Sequence, residues 1–399
     1  MHRPRLVFAR SALSPNFPRH RRHRHNGRRR RHHRKAIMLK LFNSLWRTAA
    51  RQATKIQRKQ TRKLIRQIVK PVAVPVVRKP VVKKVRASSG SWNRSRFMSL
   101  NTDPSLGLVA GTRMDYWLYQ PSTFSEGETP LVVMLHGCSQ NSVDFAAGTR
   151  MNLLGETKGF GVLYPQQSAR MNSQRCWHWY KKPVQHGKGE AALIAELIQQ
   201  VVARGRFDPA RVYLAGISAG AGLAQCIALN YPHLIAAVGL HSAPRFGVAH
   251  DAVSAFAVMQ HGGSMSSAGS HDIGDRSVDD STALMPAILI QGMQDNVVRP
   301  INVTQLETQF CQRNHLTTAQ RQATVHRPAG KSTRSAHGFD TSDYRLGRQT
   351  VLRVCRINDL PHAWSGGDPA YRFNERRGPD ASRMMWTFFA RHRREQTAP

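Results

Sequence analysis

No acidic residue occurs before Asp103. The first hundred residues carry 30 of the chain's 60 Lys and Arg, and the other 299 carry the remaining 30 against all 23 Asp and Glu. The formal charge of +37 thus describes two objects, a basic arm and a nearly balanced remainder. Without counter-charges or apolar residues, the low-complexity stretch 19–35 (RHRRHRHNGRRRRHHRK) cannot build a core, because its like charges repel. Cysteine is also scarce. Cys138, Cys176, Cys226, Cys311 and Cys355 exclude a disulfide scaffold and allow two bridges with one thiol over. Long apolar runs are missing: none reaches the ~18–20 residues of a membrane-spanning helix. The stretch around Leu6 to Phe8 is too short for the apolar centre of a secretory signal starting at Met1. No His, Cys and carboxylate cluster has metal-ligand spacing and no phosphate-cradling loop occurs, so neither metal nor cofactor is expected.

What is present divides the chain into three. Residues 1–37 read as a basic disordered segment, and initiation at Met1 or at Met38 are both open. From Met38 the apolar residues Leu39, Leu41, Phe42, Leu45, Trp46, Ile56, Leu64, Ile65, Ile68 and Val69 recur at roughly helical spacing among Arg and Lys. That pattern predicts a basic amphipathic helix suited to an anionic or amphiphilic surface. Residues 71–85 (PVAVPVVRKPVVKKV) read as a semi-rigid Pro-interrupted linker, and Ser88 to Ser91 with Gly90 as a flexible joint. Residues 98–399 then form the folded domain.

Within that domain, Met114 to Tyr119 alternates as an edge strand would. Leu131–Leu135 (LVVML), Gly161–Tyr164, Val212–Ala215, Ile235–Leu240, Ala287–Ile290 and Val351–Ile357 are short apolar runs, as in strands buried on both faces. Helical periodicity marks Ala191–Val202, the segment after Ser218, Val303–Phe310 and Ala381–Arg391. Alternating strands and helices imply an α/β fold, a mostly parallel sheet with helices on both faces. The Gly/Ser-rich run His261–Gly274 lacks periodicity and reads as a surface loop near the site.

Gly216-Ile217-Ser218-Ala219-Gly220 matches G-x-S-x-G between a strand (VYLA) and a helix, the setting in which a serine is lifted above the sheet edge. A hydroxyl is a poor nucleophile near neutral pH, so an imidazole must take its proton and a carboxylate must orient that imidazole. In chain order, Asp295 follows the strand ILIQG, and His362 follows a later strand in LPHAWSGG. Backbone donors for the oxyanion are expected at Ala219 and, in His136-Gly137-Cys138-Ser139-Gln140 after LVVML, at Cys138. Trp177, Trp179 and Trp364 flank these elements. They are candidates to hold an acyl chain, sugar or phenolic ring, and equally to pack the core. His241 reads as a core histidine.

The motifs HGCSQ, LYPQQ, CWHWY, GISAG, GMQDNVV, HAWSGGD and GPDASRMMWTFF resemble the poly(3-hydroxybutyrate) depolymerase-like esterases, a family similar to feruloyl and acetyl-xylan esterases. The resemblance runs from about residue 105 to 392. It implies an α/β-hydrolase fold, cofactor-free ester hydrolysis, and in many members secretion, which makes an extracellular site the expectation and an intracellular, surface-associated one the alternative. It also implies that Ser218, Asp295 and His362 are a triad, that Cys138 and Ala219 form the oxyanion site, and that Cys138 and Cys176 are a disulfide pair. GISAGAG and GMQDN depart from the usual GISAGG and GTADT, which touches fine specificity and leaves the triad intact.

The leading reading is therefore a serine carboxylic-ester hydrolase acting through an acyl-enzyme on hydroxyalkanoate esters, with feruloyl or acetyl-xylan esters as the alternative. A rival of another class is a polyanion- or surface-binding protein working through residues 38–70, by granule or membrane contact. Nucleic-acid binding by such an arm is at most non-specific.

Overall fold

The computed structural model describes residues 89–395 except 102, 109, 110, 264–283 and 331–335. The amphipathic segment 38–70, the linker 71–85 and most of the run 261–274 lie outside the described residues.

Ten strands form one sheet: β1 (Ser91–Met98), β2 (Arg113–Gln120), β3 (Leu131–Leu135), β4 (Gly161–Pro165), β5 (Val212–Ile217), β6 (Ala237–His241), β7 (Ala287–Gly292), β8 (Val325–Arg327), β9 (Phe339–Leu346) and β10 (Gln349–Ile357). The spatial order is β1-β2-β4-β3-β5-β6-β7-β10-β9-β8. The six central strands, β4 through β10, run parallel, and antiparallel pairs flank them on both sides. Among the described residues eight helices accompany them: α1 (Ser142–Thr149), α2 (Met151–Lys158), α3 (Lys182–Gln185), α4 (Glu190–Gly205), α5 (Ala219–Asn230), α6 (Ala252–His261), α7 (Ile301–Arg313) and α8 (Ala381–Phe389).

The alternation within β3 explains the two-faced core. Leu131, Val133 and Leu135 pack with Ile194, Leu197, Leu223, Val303 and Phe310 of α4, α5 and α7, whereas Val132 and Met134 pack with Phe145, Leu154, Met385 and Phe388 of α1, α2 and α8. Side chains of successive strand residues point to opposite faces, so a strand covered on both sides needs an unbroken apolar run. This is the expected α/β arrangement with helices on both faces.

Two sequence expectations at the N-terminal edge are corrected. β2 is internal, because β1 pairs with it antiparallel from Ser91↔Gln120 to Met98↔Arg113. The sheet thus begins before the expected boundary at residue 98. β1 escaped notice because it has almost no apolar face: Phe97 alone is buried, and Arg94 and Arg96 both bond Asp115, at 2.7 and 2.8 Å. Gly90 is not a loose joint either. A Cβ there would sit 2.4 Å from the Gln120 carbonyl oxygen, so the backbone passes too close for any side chain.

Candidate active site

The carboxyl ends of the parallel strands bring the chemistry together. The turn after β3 holds Cys138, the turn after β5 holds Ser218, the segment after β7 holds Asp295, and that after β10 holds His362. In open α/β sheets this is the edge at which ligands bind.

Ser218 has φ 57° and ψ −125°, a backbone conformation that costs a non-glycine residue of order 1–3 kcal/mol and persists only where the surroundings enforce it. Here the enforcement is steric. A Cβ on Gly216 would lie 2.5 Å from the Gly220 carbonyl carbon, and one on Gly220 only 2.1 Å from the Leu135 carbonyl oxygen. Both glycines of the motif are needed so that α5 can start hard against β3. The Ser218 amide donates to the His241 carbonyl at 3.0 Å, closing the turn.

His362 Nδ1 lies 2.8 Å from Asp295 Oδ2. Asp295 is 1 % exposed, and its other oxygen accepts from the amides of Val297 and Val298 at 2.9 and 2.8 Å. Gln291 Nε2 approaches Oδ2 at 3.4 Å while donating to the Val298 carbonyl at 2.9 Å. The carboxylate is thus held by backbone amides and presents one oxygen to the imidazole. Ser218 and His362 line one small cavity with Gly137, Cys138, Gln140, Ile217 and Phe373. Ser218 Oγ is buried and has no hydrogen-bond partner among the described residues, so the serine–histidine bond is open in this conformation.

The oxyanion segment is braced from several sides. Gln140 Oε1 accepts from the Gly137 amide at 2.8 Å, and Ser139, at φ 61°, donates its amide to the Gln174 carbonyl at 2.6 Å. Trp177 Nε1 donates to the His136 carbonyl at 2.9 Å. A disulfide joins Cys138 to Cys176, and no second bridge forms among the described residues. Among those residues, neither the Cys138 nor the Ala219 amide is spent on a protein acceptor. His136 is fully buried, and burial pushes its pKa down to about 4. Its Nδ1 lies 2.9 Å from the Gly137 carbonyl and its Nε2 accepts from the Gln167 amide at 3.2 Å, so a neutral ring braces the turn.

A larger pocket of about 330 Å³ opens on Ser218 and Ala219. Trp177 and Trp179 form part of its wall, with Met171, Tyr180, Ala255 and Met259. Trp364 does not. It is 1 % exposed, donates Nε1 to Ser382 Oγ at 3.1 Å, meets Phe145 edge-on and stacks on His241 at 5.2 Å. Trp364's place two residues after His362 does not bring it to the pocket, because the chain bends at His362 and Ala363. Trp177, 0 % exposed, is packed in the core as well, and of the three tryptophans Trp179 keeps the most exposure. Residues that sequence reasoning passed over include Gln140, Gln291 and Phe373. Only Gln140 had a signal, its place in HGCSQ. Among the described residues no three His, Cys, Asp or Glu side chains gather as a metal site, and no helix is long and apolar enough to cross a membrane.

Comparisons with known proteins agree with this layout. The family profile described as Esterase PHB depolymerase matches residues 114–336, more than half of the chain. Poly(3-hydroxyalkanoate) depolymerase C of Paucimonas lemoignei is 33 % identical over 183 residues, covering 45 % of this chain and 44 % of that protein. Feruloyl esterase B of Thermothelomyces thermophilus is 28 % identical over 146 residues, 36 % of this chain and 49 % of that one. The chain thus spans less than half the length of these curated relatives. A solved acetyl xylan esterase from Aspergillus awamori superposes with a TM-score of 0.58 at 16 % identity over 75 % of this chain and 99 % of its own, a likeness of fold. With its α/β-hydrolase fold and a family match spanning both Ser218 and Asp295, this chain belongs to the esterase PHB depolymerase family.

Proposed function

We propose that the chain is a serine carboxylic-ester hydrolase in which Ser218, His362 and Asp295 act as a triad. The observation that carries this reading is the 2.8 Å contact between His362 Nδ1 and a buried Asp295, with Ser218 on a strained turn lining the same cavity as His362. His362 Nε2 takes the proton of Ser218 Oγ as that oxygen attacks the ester carbonyl carbon. The tetrahedral oxyanion is met by the Cys138 and Ala219 amides. Collapse expels the alcohol, which receives the proton from His362, and leaves Ser218 acylated. Water, deprotonated by His362, then cleaves the acyl-enzyme. Asp295 keeps the imidazole in the tautomer with Nδ1 protonated.

The substrate reading that follows from the family is an ester of a 3-hydroxyalkanoate, as oligomer or polymer. An acetylated or feruloylated polysaccharide is the second, favoured by the aromatic wall that Trp179 and Tyr180 give the pocket. The basic segment 38–70 is proposed to hold an anionic or polyester surface and to leave catalysis to the domain that follows. Hydrolysis of 3-hydroxybutyrate oligomers, acetyl-xylan and feruloylated arabinose by the full chain and by Ser218→Ala tests the whole reading. No cleavage of any ester, or equal cleavage by the variant, overturns it.

A further inference from the structure

The pocket beside Ser218 has polar residues in its wall that ester cleavage leaves unused, Asn172, Ser173, His178, Tyr180 and Lys181 among them. His178 forms part of its wall. A single carboxylate holds this residue twice: the His178 amide donates to Glu190 Oε2 at 2.7 Å, and Nδ1 lies 2.7 Å from Glu190 Oε1. Gln167 Nε2 donates to the same Oε1 at 2.6 Å and to the Cys176 carbonyl at 3.2 Å, so the carboxylate is itself anchored. Glu190 also stands in the first turn of α4, where the helix dipole favours negative charge. The two side chains are only 12 % and 14 % exposed.

This geometry decides what His178 can offer. With Nδ1–H committed to a carboxylate, a neutral imidazole presents Nε2 as a lone-pair acceptor. Nε2 bonds nothing else among the described residues. Met171, Trp179, Ala252, Ala255 and Met259 make much of the remaining wall apolar. A fixed acceptor in such a wall separates ligands that bring a donor from those that do not.

We infer that His178 is a specificity-determining residue that accepts a hydrogen bond from a free hydroxyl of the substrate, so that the pocket favours esters bearing a hydroxyl outside the scissile group. The inference rests on the esterase reading above. The hydroxyl has two sources, the chain end of a hydroxyacyl group or a sugar hydroxyl on the alcohol side. Glu190 is a positioning residue, since it sets which ring nitrogen carries the proton.

The test compares kcat/KM within two pairs of esters, using the full chain. One pair is p-nitrophenyl 3-hydroxybutyrate and p-nitrophenyl butyrate; the other is an acetylated methyl xyloside and cyclohexyl acetate. His178→Phe removes the acceptor. Glu190→Ala removes the partner of Nδ1–H, so neither the tautomer nor the direction of Nε2 is held. In both variants the hydroxylated-to-plain ratio of one pair should fall about tenfold, as for loss of one net hydrogen bond, and the pair affected identifies the source. Should His178→Phe fail to fold, as judged by thermal melting, the ratio in Glu190→Ala decides. Unaltered ratios in both pairs mean that the dyad only braces the Cys176–Lys181 segment against α4, and the inference is wrong. If the wild type cleaves none of the four esters, the esterase reading falls and takes this one with it.

Discussion

His241 and Ser218 are bonded through their backbones, the serine amide donating to the histidine carbonyl at 3.0 Å, and the ring of the same histidine reaches the other half of the site. Its Nε2 accepts from the Ser365 amide at 3.3 Å, three residues beyond His362, and its face stacks on Trp364. One buried residue at the end of β6 therefore ties the turn of the nucleophile to the segment of the base.

Ser218→Ala should lower kcat on p-nitrophenyl butyrate by about 10³-fold or more with the fold intact, as removal of a serine nucleophile does. Circular dichroism and steady-state kinetics check this together. Retention of a tenth of the wild-type rate assigns the nucleophile elsewhere.

Burial holds the pKa of His241 at about 3 and that of His136 at about 4, both below the 6.5 of an exposed imidazole. In the unfolded chain both rings are protonated below about pH 6.5, so there the unfolded state binds more protons. Stability present above that pH is lost as pH falls towards 4, each ring adding a slope of roughly 1.4 kcal/mol per pH unit. Melting temperature should therefore fall steadily from pH 6.5 to 4, and less steeply in His241→Gln. Identical slopes in the two proteins count against a neutral buried His241.

The Cys138–Cys176 bridge links the oxyanion turn to the segment carrying Trp177. Reduction, or the Cys138→Ser/Cys176→Ser double variant, should lower kcat on a simple ester more than it lowers helix content. Full activity of the reduced enzyme shows instead that Gln140 and Trp177 suffice to hold the Cys138 amide.

Trp364→Ala should cost about 3–5 kcal/mol of stability, the usual range for deleting a large buried aromatic side chain. Denaturant unfolding measures it. Trp179→Ala, by contrast, opens the pocket wall and should change KM between short and long acyl esters. The roles are reversed if Trp364→Ala alters acyl preference without loss of stability.

A fragment 89–399 should hydrolyse soluble esters at close to the full-chain rate, whereas 99–399, which lacks β1, should melt at lower temperature because it exposes the edge of β2 and uncovers the contact of Phe97 with the core. Equal melting temperatures would show that β1 contributes nothing to the domain.

The buried strands β3, β5, β7 and β10 were legible in the sequence because a strand covered on both faces must be continuously apolar, and G-x-S-x-G was legible because its glycines answer a local steric demand. Charge composition alone separated the basic arm from the remainder. β1 was not legible, since its stability comes from Arg94 and Arg96 meeting Asp115 across the sheet, a pairing that local sequence does not encode. Nor could sequence sort the tryptophans. Trp179 reaches a pocket wall and Trp364 the core because segments far apart in the chain, at Gly222 and α6 in one case and at Phe145, His241 and Ser382 in the other, close around them. Residue types and their order determined the chemistry this chain can attempt; which side chains face the substrate was decided only when the sheet brought its strand ends together.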